Sequence, residues 1–139
     1  MTKVGALFCL LSVLATAGGP APAAPAGSGR VFELRTYTAS PGKLDALNAR
    51  FRDHTIALFQ KHGMDVVGFW EPLDKEAGAG EKLVYILAHQ SRAAAEASWK
   101  AFRDDPEWVQ VKADSERGGA LTTKIESVFL SGTDYSPLK

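Results

Sequence analysis

Hydrophobic and polar residues alternate along VFELRTYTA, residues 31–39, with the period of two that is typical of a β-strand. On such a strand Phe32 and Leu34 point to one side. The opposite side carries an acid, a guanidinium and a phenol in a row, namely Glu33, Arg35 and Tyr37. The pattern therefore predicts a first strand with one core face and one face whose chemistry needs an explanation.

A helix is predicted to follow over residues 41–62, where apolar residues recur at three- and four-residue spacing. Ser40 is a suitable N-cap, and Pro41 suits the first helical position because its missing N–H is not needed there. Gly63 stands where a helix C-cap is expected.

The rest of the chain is predicted to contain two strands, two helices and a final strand. Strands are predicted at 64–73 and 82–90 around a glycine-rich loop at 74–81, then a helix at 92–104 capped by Ser91. A short helix follows from Pro106 to about Glu116, with Asp105 as its cap, and a strand at 121–130. This β-α-β-β-α-α-β order predicts an α+β, ferredoxin-like split βαβ fold with a four-stranded antiparallel sheet in the order 4-1-3-2.

Helices can cover only one face of this sheet. We expect the covered face to be the more apolar one, which holds Phe32, Leu34, Val84, Ile86 and Ala88. The open face would then show the cavity-lining candidates: Glu33, Arg35, Tyr37, Trp70, Tyr85, Leu87, His89, Lys124 and Glu126. For Trp70 the sequence leaves the face open, because a shift of one residue in its strand would turn it to the other side. Two such faces packed together would enclose the charged row in a homodimer.

Length, composition and charge limit the possible partners. The chain has 139 residues with 45% hydrophobic content, and 16 basic residues balance 16 acidic ones. This length suits one domain. Because no basic stripe and no polybasic run is present, we predict neither a nucleic-acid partner nor an electrostatic membrane partner.

The N-terminal region is predicted to lie outside the domain. Residues 1–17 have a weakly basic start, an apolar run and small residues at 15–17, the pattern of a signal peptide. Residues 18–30 form a Pro/Ala/Gly linker, and the domain spans 31–139. The alternatives are cleavage after one of the APA triplets at 21–23 and 24–26, an uncleaved anchor, or an unstructured start. We expect export to the periplasm or exterior, without stable membrane insertion after cleavage. Since Cys9 is the only cysteine, the mature chain would have no thiol.

Four stretches together resemble the NIPSNAP family: FELRTYTASPGKLDALNARFRDHT, KHGMDVVGFWEP, WKAFRDDPEW and the C-terminal DYSPLK. They run in order over nearly all of the predicted domain. The resemblance implies a ferredoxin-like protomer that forms a dimeric α/β barrel around a central cavity. It implies no single activity, because proteins that share the barrel include cofactor-free monooxygenases, isomerases, haem enzymes and binding proteins.

Within a cavity, the row on the first strand could carry chemistry. Arg35 could hold a carboxylate or enolate oxygen, Tyr37 could donate a hydrogen bond, and Glu33 could act as a base. The alternative is structural: Glu33 and Arg35 pair with Lys124 and Glu126 on the neighbouring strand or across the dimer.

The histidine spacing does not favour a metal site. His54 and His62 are eight residues apart and do not share a helical face, and no HxH or HExxH pattern occurs. We expect no cofactor, with haem bound through His89 or His54 as the minor alternative. His54 lies beside the apolar stripe of its helix, where it either satisfies a buried polar group or acts as a proton shuttle.

Two functions from different classes remain. One is an exported homodimer that binds a small, partly apolar molecule and possesses cofactor-free monooxygenase or isomerase activity. The other is a non-catalytic scaffold or interaction protein whose barrel interior is filled by its own side chains.

Overall fold

The computed structural model describes residues 30–139, so the predicted signal peptide and nearly all of the predicted linker lie outside the described residues. Four strands and four α-helices make up the domain. They are β1 Val31–Ala39, α1 Leu44–Arg50, α2 Ile56–Lys61, β2 Asp65–Trp70, β3 Lys82–His89, α3 Arg92–Asp104, α4 Pro106–Ser115 and β4 Thr122–Ser131. A π-helical turn, Phe51–Thr55, joins α1 to α2, and a 3-10 turn, Lys75–Ala77, lies in the β2–β3 loop. Among the described residues, no helix is long and apolar enough to cross a membrane.

The strands form one antiparallel sheet in the order β2-β3-β1-β4, which confirms the predicted order and the ferredoxin-like α+β fold. β1 and β3 are central, and β2 and β4 are the edges. Glu33 lies opposite Leu87 on β3 and Phe129 on β4, and this register decides which side chains share a face.

Local capping signals mark three of the helix boundaries. The Ser91 hydroxyl accepts a hydrogen bond from the Ala94 N–H at 3.0 Å, and Asp105 accepts one from the Glu107 N–H at 2.9 Å, as predicted. Gly63 has a φ of 73°, the left-handed conformation expected just beyond a helix end.

The predicted start of the first helix was wrong. Ser40 does not cap it, because its hydroxyl instead donates to the Ala120 carbonyl at 2.8 Å and ties the end of β1 to the start of β4. The chain then turns at Gly42, whose φ is 72°, and the helix begins at Leu44. In the π-helical turn that follows, the buried Thr55 hydroxyl donates a hydrogen bond to the Arg50 carbonyl at 3.2 Å. This bond gives the Arg50 carbonyl a partner where the wider turn departs from α-helical pairing.

The core lies between the helices and one face of the sheet, and it is largely aromatic. Phe59 of α2 packs within 6 Å, centroid to centroid, of Tyr85, Trp99 and Phe102. Phe51 makes an edge-on contact with Tyr37 at 5.6 Å. Edge-to-face and tilted pairs of this kind add to the stabilisation by burial.

The predicted assignment of the two sheet faces was wrong. The helices cover the face that carries Glu33, Arg35, Tyr37, Tyr85, Leu87 and His89. The opposite face, with Phe32 and Leu34, carries no helix, although Phe32 itself is only 8% exposed and lies beside residues of the C-terminal segment. The physical reason is aromatic packing: the aromatic side chains of the helical layer pack against aromatic side chains of the sheet, and Tyr37 and Tyr85 lie on this face. The charged groups beside them are tolerated because they pair with one another, as described below.

A bulge in β2 settles the side on which Trp70 lies. Val66 pairs with Leu87 and Gly68 with Ile86, so Val67 is the extra residue and the register shifts by one. Trp70 therefore shares the open face with Ile86. Its ring lies over Gly68, where an added Cβ would come within 2.8 Å of it.

We predict that Phe59→Ala removes about 3–5 kcal/mol from the free energy of unfolding, because the fully buried ring leaves a cavity that rigid aromatic neighbours cannot fill. Leu73→Ala is the control, since Leu73 is 95% exposed and its truncation is expected to change stability by less than about 0.5 kcal/mol. Urea unfolding followed by tryptophan fluorescence measures both. Similar losses in the two variants would contradict this account of the core.

Candidate functional site

The most concentrated polar chemistry in the domain surrounds the carboxylate of Glu33, which is 1% exposed. One oxygen accepts hydrogen bonds from Arg35 Nη1 and from Ser127 Oγ, each at 2.6 Å. The other accepts from Trp99 Nε1 at 2.6 Å and His89 Nε2 at 3.1 Å. These four donors come from β1, β4, α3 and β3, so one side chain links three strands and a helix. We call these five residues the Glu33 cluster.

The protonation state of Glu33 follows from two opposing effects. Burial by itself would raise its pKa, but the hydrogen bonds from His89, Ser127, Trp99 and Arg35 outweigh burial and lower the pKa to about 2. Four donors also use the roughly four lone-pair positions of a carboxylate. Glu33 is therefore ionised at neutral pH with its hydrogen-bond acceptor positions occupied, and it is a poor base.

Arg35 is held by aromatic rings as well as by Glu33. Its guanidinium carbon lies 4.1 Å from the centre of the Trp99 ring and 5.5 Å from that of Tyr37. A long contact of 3.4 Å also joins its Nη2 to the Tyr37 hydroxyl. The predicted pairing of Glu33 and Arg35 with Lys124 and Glu126 of the same chain was wrong: Glu33 and Arg35 pair with each other, and Glu33 contacts β4 through Ser127 instead.

Three buried polar atoms near this cluster have no hydrogen-bond partner among the described residues: Arg35 Nε, Tyr85 Oη and His89 Nδ1. Burial raises the pKa of Tyr85 well above its ordinary value, so its hydroxyl stays protonated. Unused hydrogen-bonding atoms therefore remain in and beside the Glu33 cluster, and all of them lie beneath the helices.

The structure divides the nine predicted cavity-lining residues between the two faces of the sheet. It brings together Glu33, Arg35, Tyr37, Tyr85, Leu87 and His89 on the covered face. Lys124 and Glu126 lie on the other face with Trp70, because they pair with Thr38 and Thr36. The Lys124 ammonium contacts the Glu126 carboxylate at 2.8 Å, and both side chains are exposed.

The open face is apolar at its centre. Phe32 and Leu34 of β1 lie between Ile86 of β3 and Val128 and Leu130 of β4. Val128 is 53% exposed and Leu130 is 42% exposed, which is unusual for neighbouring large apolar side chains on a sheet.

A groove of about 260 Å³ lies at one end of this open face, between the sheet and the C-terminal segment 132–139. Its lining includes Phe32, Ile86 and Leu130 from the sheet and Leu138 from the segment. We call it the C-terminal groove. It combines apolar walls with a few polar groups, the usual composition of a small-molecule site.

The histidines lie apart from one another. His54 is exposed and lines a groove between the π-helical turn and α4, with Asp53 and Asp114 nearby. His62 Nε2 contacts Asp105 at 2.7 Å. No group of three or more His, Cys, Asp or Glu residues within 30–139 is placed to hold a metal ion. The haem alternative and the shuttle role of His54 stay predictions.

Sequence reasoning missed two members of the Glu33 cluster, Trp99 and Ser127, and also the importance of Val128 and Leu130. A signal for Trp99 existed: its helical spacing turns it to the sheet, and a buried indole N–H needs an acceptor. Ser127 carried no such signal, because its role depends on the register between β1 and β4.

Comparison with known proteins gives a family and a fold. The NIPSNAP family model matches residues 32–137. A NIPSNAP family protein with unknown function from Agrobacterium tumefaciens strain C58 has a TM-score of 0.70 at 22% identity, and the alignment covers 81% of this chain and 96% of that one. For an uncharacterized NIPSNAP-like domain protein from Burkholderia xenovorans the TM-score is 0.68 at 15% identity, with 79% and 90% covered.

A more distant fold relative is described as a candidate antibiotic biosynthesis monooxygenase, from Nitrosomonas europaea. Its TM-score is 0.52 at 13% identity, and the alignment covers 73% of this chain and 97% of that one. At these identities the likeness concerns the fold alone. Comparison with curated proteins gives no match.

We predict that Glu33→Gln lowers the free energy of unfolding at pH 7 by roughly 3 kcal/mol, because a pKa held near 2 instead of 4.5 corresponds to that stabilisation of the folded state. The contribution is complete above the ordinary pKa and is lost as pH falls toward 2. The difference between wild type and variant should therefore shrink steadily below pH 4.5.

Denaturant unfolding at several pH values between 3 and 7 measures this difference. Glu126→Gln is the matched control, since Glu126 is exposed and contacts only Lys124; it is expected to cost less than about 1 kcal/mol at every pH. A pH-independent loss in Glu33→Gln would show that packing, and not the charge, carries the effect.

Proposed function

Because this chain belongs to the NIPSNAP family and its sheet leaves one apolar face uncovered, we propose that it acts as a homodimer that binds a small, partly apolar molecule between two such faces. The observation that carries this proposal is the apolar composition of the open face. Soluble domains seldom expose a contiguous apolar patch on a sheet unless another surface covers it.

The open face is close to the smallest size that a specific dimer interface needs. β1 has nine residues and the sheet has four strands, so the face measures roughly 30 Å by 19 Å from the ordinary rise and spacing of strands. Two copies would bury on the order of 1,000 Å² in total, about the lower bound for a specific interface. This area supports association of the chain with itself through one two-fold patch.

Charge placement also favours a second copy as the occupant. The centre of the face is uncharged, and Lys82, Lys124 and Glu126 lie toward the end where β1 finishes and β4 starts. In a two-fold pair each copy presents the same mixture of both signs to the other, so attraction and repulsion can be balanced by small side-chain movements. Because positive and negative side chains are mixed on this face, it offers no net electrostatic attraction to a strongly acidic or strongly basic partner.

The ligand part of the proposal is supported by the C-terminal groove, which opens on the same face. A facing sheet would close the groove from outside water and increase the apolar surface around a bound molecule. The binding site proposed here therefore differs from the one expected from the sequence, because it uses the apolar face instead of the Glu33 cluster.

Catalysis by Glu33 is not part of the proposal. Cofactor-free oxygenation or isomerisation requires a base or a group that stabilises an enolate, and a saturated carboxylate with a pKa near 2 does not accept protons at neutral pH. The fold likeness to a candidate monooxygenase supplies no residue that would replace it. The scaffold alternative shares the same dimer and differs only in whether the interior is occupied by side chains alone.

A charge placed on the open face tests the assembly. We expect wild-type protein to be dimeric at micromolar concentration, and Val128→Glu to weaken dimerisation by at least about 100-fold because each copy would bury an unpaired carboxylate. Val109→Glu is the matched control: Val109 on α4 is 56% exposed, close to the 53% of Val128, but lies away from this face.

Light scattering coupled to size-exclusion chromatography measures the assembly, and circular dichroism checks that all three proteins are folded. A monomeric wild type would overturn the dimer, and equal dissociation constants for the two variants would show that another surface forms it.

A further inference from the structure

We propose that the C-terminal segment 132–139 determines the ligand specificity of the C-terminal groove, and that the groove selects a neutral, mostly apolar molecule with one hydroxyl or carbonyl end. This inference rests on the proposed function, because it concerns the same face of the sheet. It adds the chemical class of the ligand and the part of the chain that selects it.

The segment folds back on itself through its own hydrogen bonds. The Ser136 N–H donates to the Thr133 carbonyl at 3.1 Å, which closes a turn. The Ser136 hydroxyl donates to the Leu138 carbonyl at 2.8 Å, and the Lys139 ammonium donates to the Asp134 carbonyl at 2.7 Å. These contacts give the segment a defined shape after β4 ends, so it can form a wall.

Gly132 is the point where this wall meets the sheet. A Cβ added to Gly132 would lie 2.9 Å from the Leu138 carbonyl oxygen, closer than real Cβ atoms come to backbone. Only glycine therefore allows the segment to return so close to the end of β4 and place Leu138 over the groove. Any larger residue at this position must displace Leu138.

The chemistry of the lining excludes a charged ligand. Five lining residues are apolar, namely Phe32, Val67, Ile86, Leu130 and Leu138, and the polar ones, Ser131, Thr133 and Ser136, lie at the end near the segment. The Ser136 hydroxyl is paired with the Leu138 backbone, and the register turns the Ser131 side chain to the covered face, so Thr133 supplies the hydroxyl at this end. Among residues 30–139, no lysine, arginine, aspartate or glutamate side chain lines the groove. A buried charge without a partner is strongly unfavourable, whereas a hydroxyl or carbonyl can exchange a hydrogen bond with Thr133.

The groove is small. Its volume of about 260 Å³ is just below the roughly 300–1,000 Å³ that is usual for small-molecule sites, so a short chain with one oxygen is a suitable probe.

Three probes with the same chain and different head groups test the selection: 1-octanol, octanoate and octylammonium at pH 7. Isothermal titration calorimetry of the full chain without its predicted signal peptide measures binding. We expect 1-octanol to bind at least about tenfold more tightly than either charged probe, since only the charged heads lose solvation without gaining a partner.

Two glycine variants test the segment. Gly132→Ala is expected to weaken 1-octanol binding by about tenfold because it moves Leu138, and the matched variant Gly118→Ala is expected to leave binding unchanged, since its Cβ would meet only the Lys43 ammonium at 3.9 Å. Native mass spectrometry of the same samples reports the dimer independently.

Equal binding of 1-octanol by wild type and Gly132→Ala would overturn the role of the segment while leaving the proposed function in place. Equal binding of all three probes would overturn the neutral selection. No binding of any probe by a protein that is dimeric would overturn the groove as a site and favour a filled interior, and a monomer that binds 1-octanol would overturn the dimer alone.

Discussion

A buried carboxylate with four donors constrains most of this domain. Glu33 draws Arg35 along its own strand, Ser127 from β4, His89 from β3 and Trp99 from α3. Removing one partner from a buried ionic group typically costs several kcal/mol, because the remaining charge has lost its solvent and gains nothing in return. The register of the central strands and the position of α3 on the sheet are therefore coupled through one side chain.

This coupling explains why the two faces of the sheet have the compositions they have. The covered face contains the Glu33 cluster and also packs against the aromatic side chains of the helices. It therefore carries both charged side chains and aromatic ones such as Tyr37 and Tyr85. The other face has no helices to contact, yet it keeps Phe32, Leu34 and Val128 instead of the polar residues that water would favour. The apolar side chains that stay exposed on this face, such as Val128, are the reason for proposing association and ligand binding there.

Much of the fold could be predicted from local signals, and the site could not. Ser91, Asp105 and Gly63 mark helix ends by chemistry that acts within a few residues, and alternation identifies strands in the same way. Alternation yields two sets of side chains but does not say which set is covered, because that depends on contacts between distant residues such as Trp99 and Glu33. The apolarity of Phe32 and Leu34 suggested the wrong answer, since an ionic group can also be buried when all its charges and hydrogen-bonding atoms have partners.

The Glu33 cluster also shows how a buried group of hydrogen-bonded polar side chains differs from a catalytic site. Catalytic carboxylates are usually placed so that their pKa lies near the working pH, with an unsatisfied oxygen that can take a proton. Glu33 has the opposite arrangement: its pKa is held near 2 and both its oxygens are occupied. Its surroundings resemble those of an ion pair that determines which packing is adopted. In this protein the polar residues of the Glu33 cluster stabilise the protomer, so the proposals of association and ligand binding rest on the apolar face and the groove at its end.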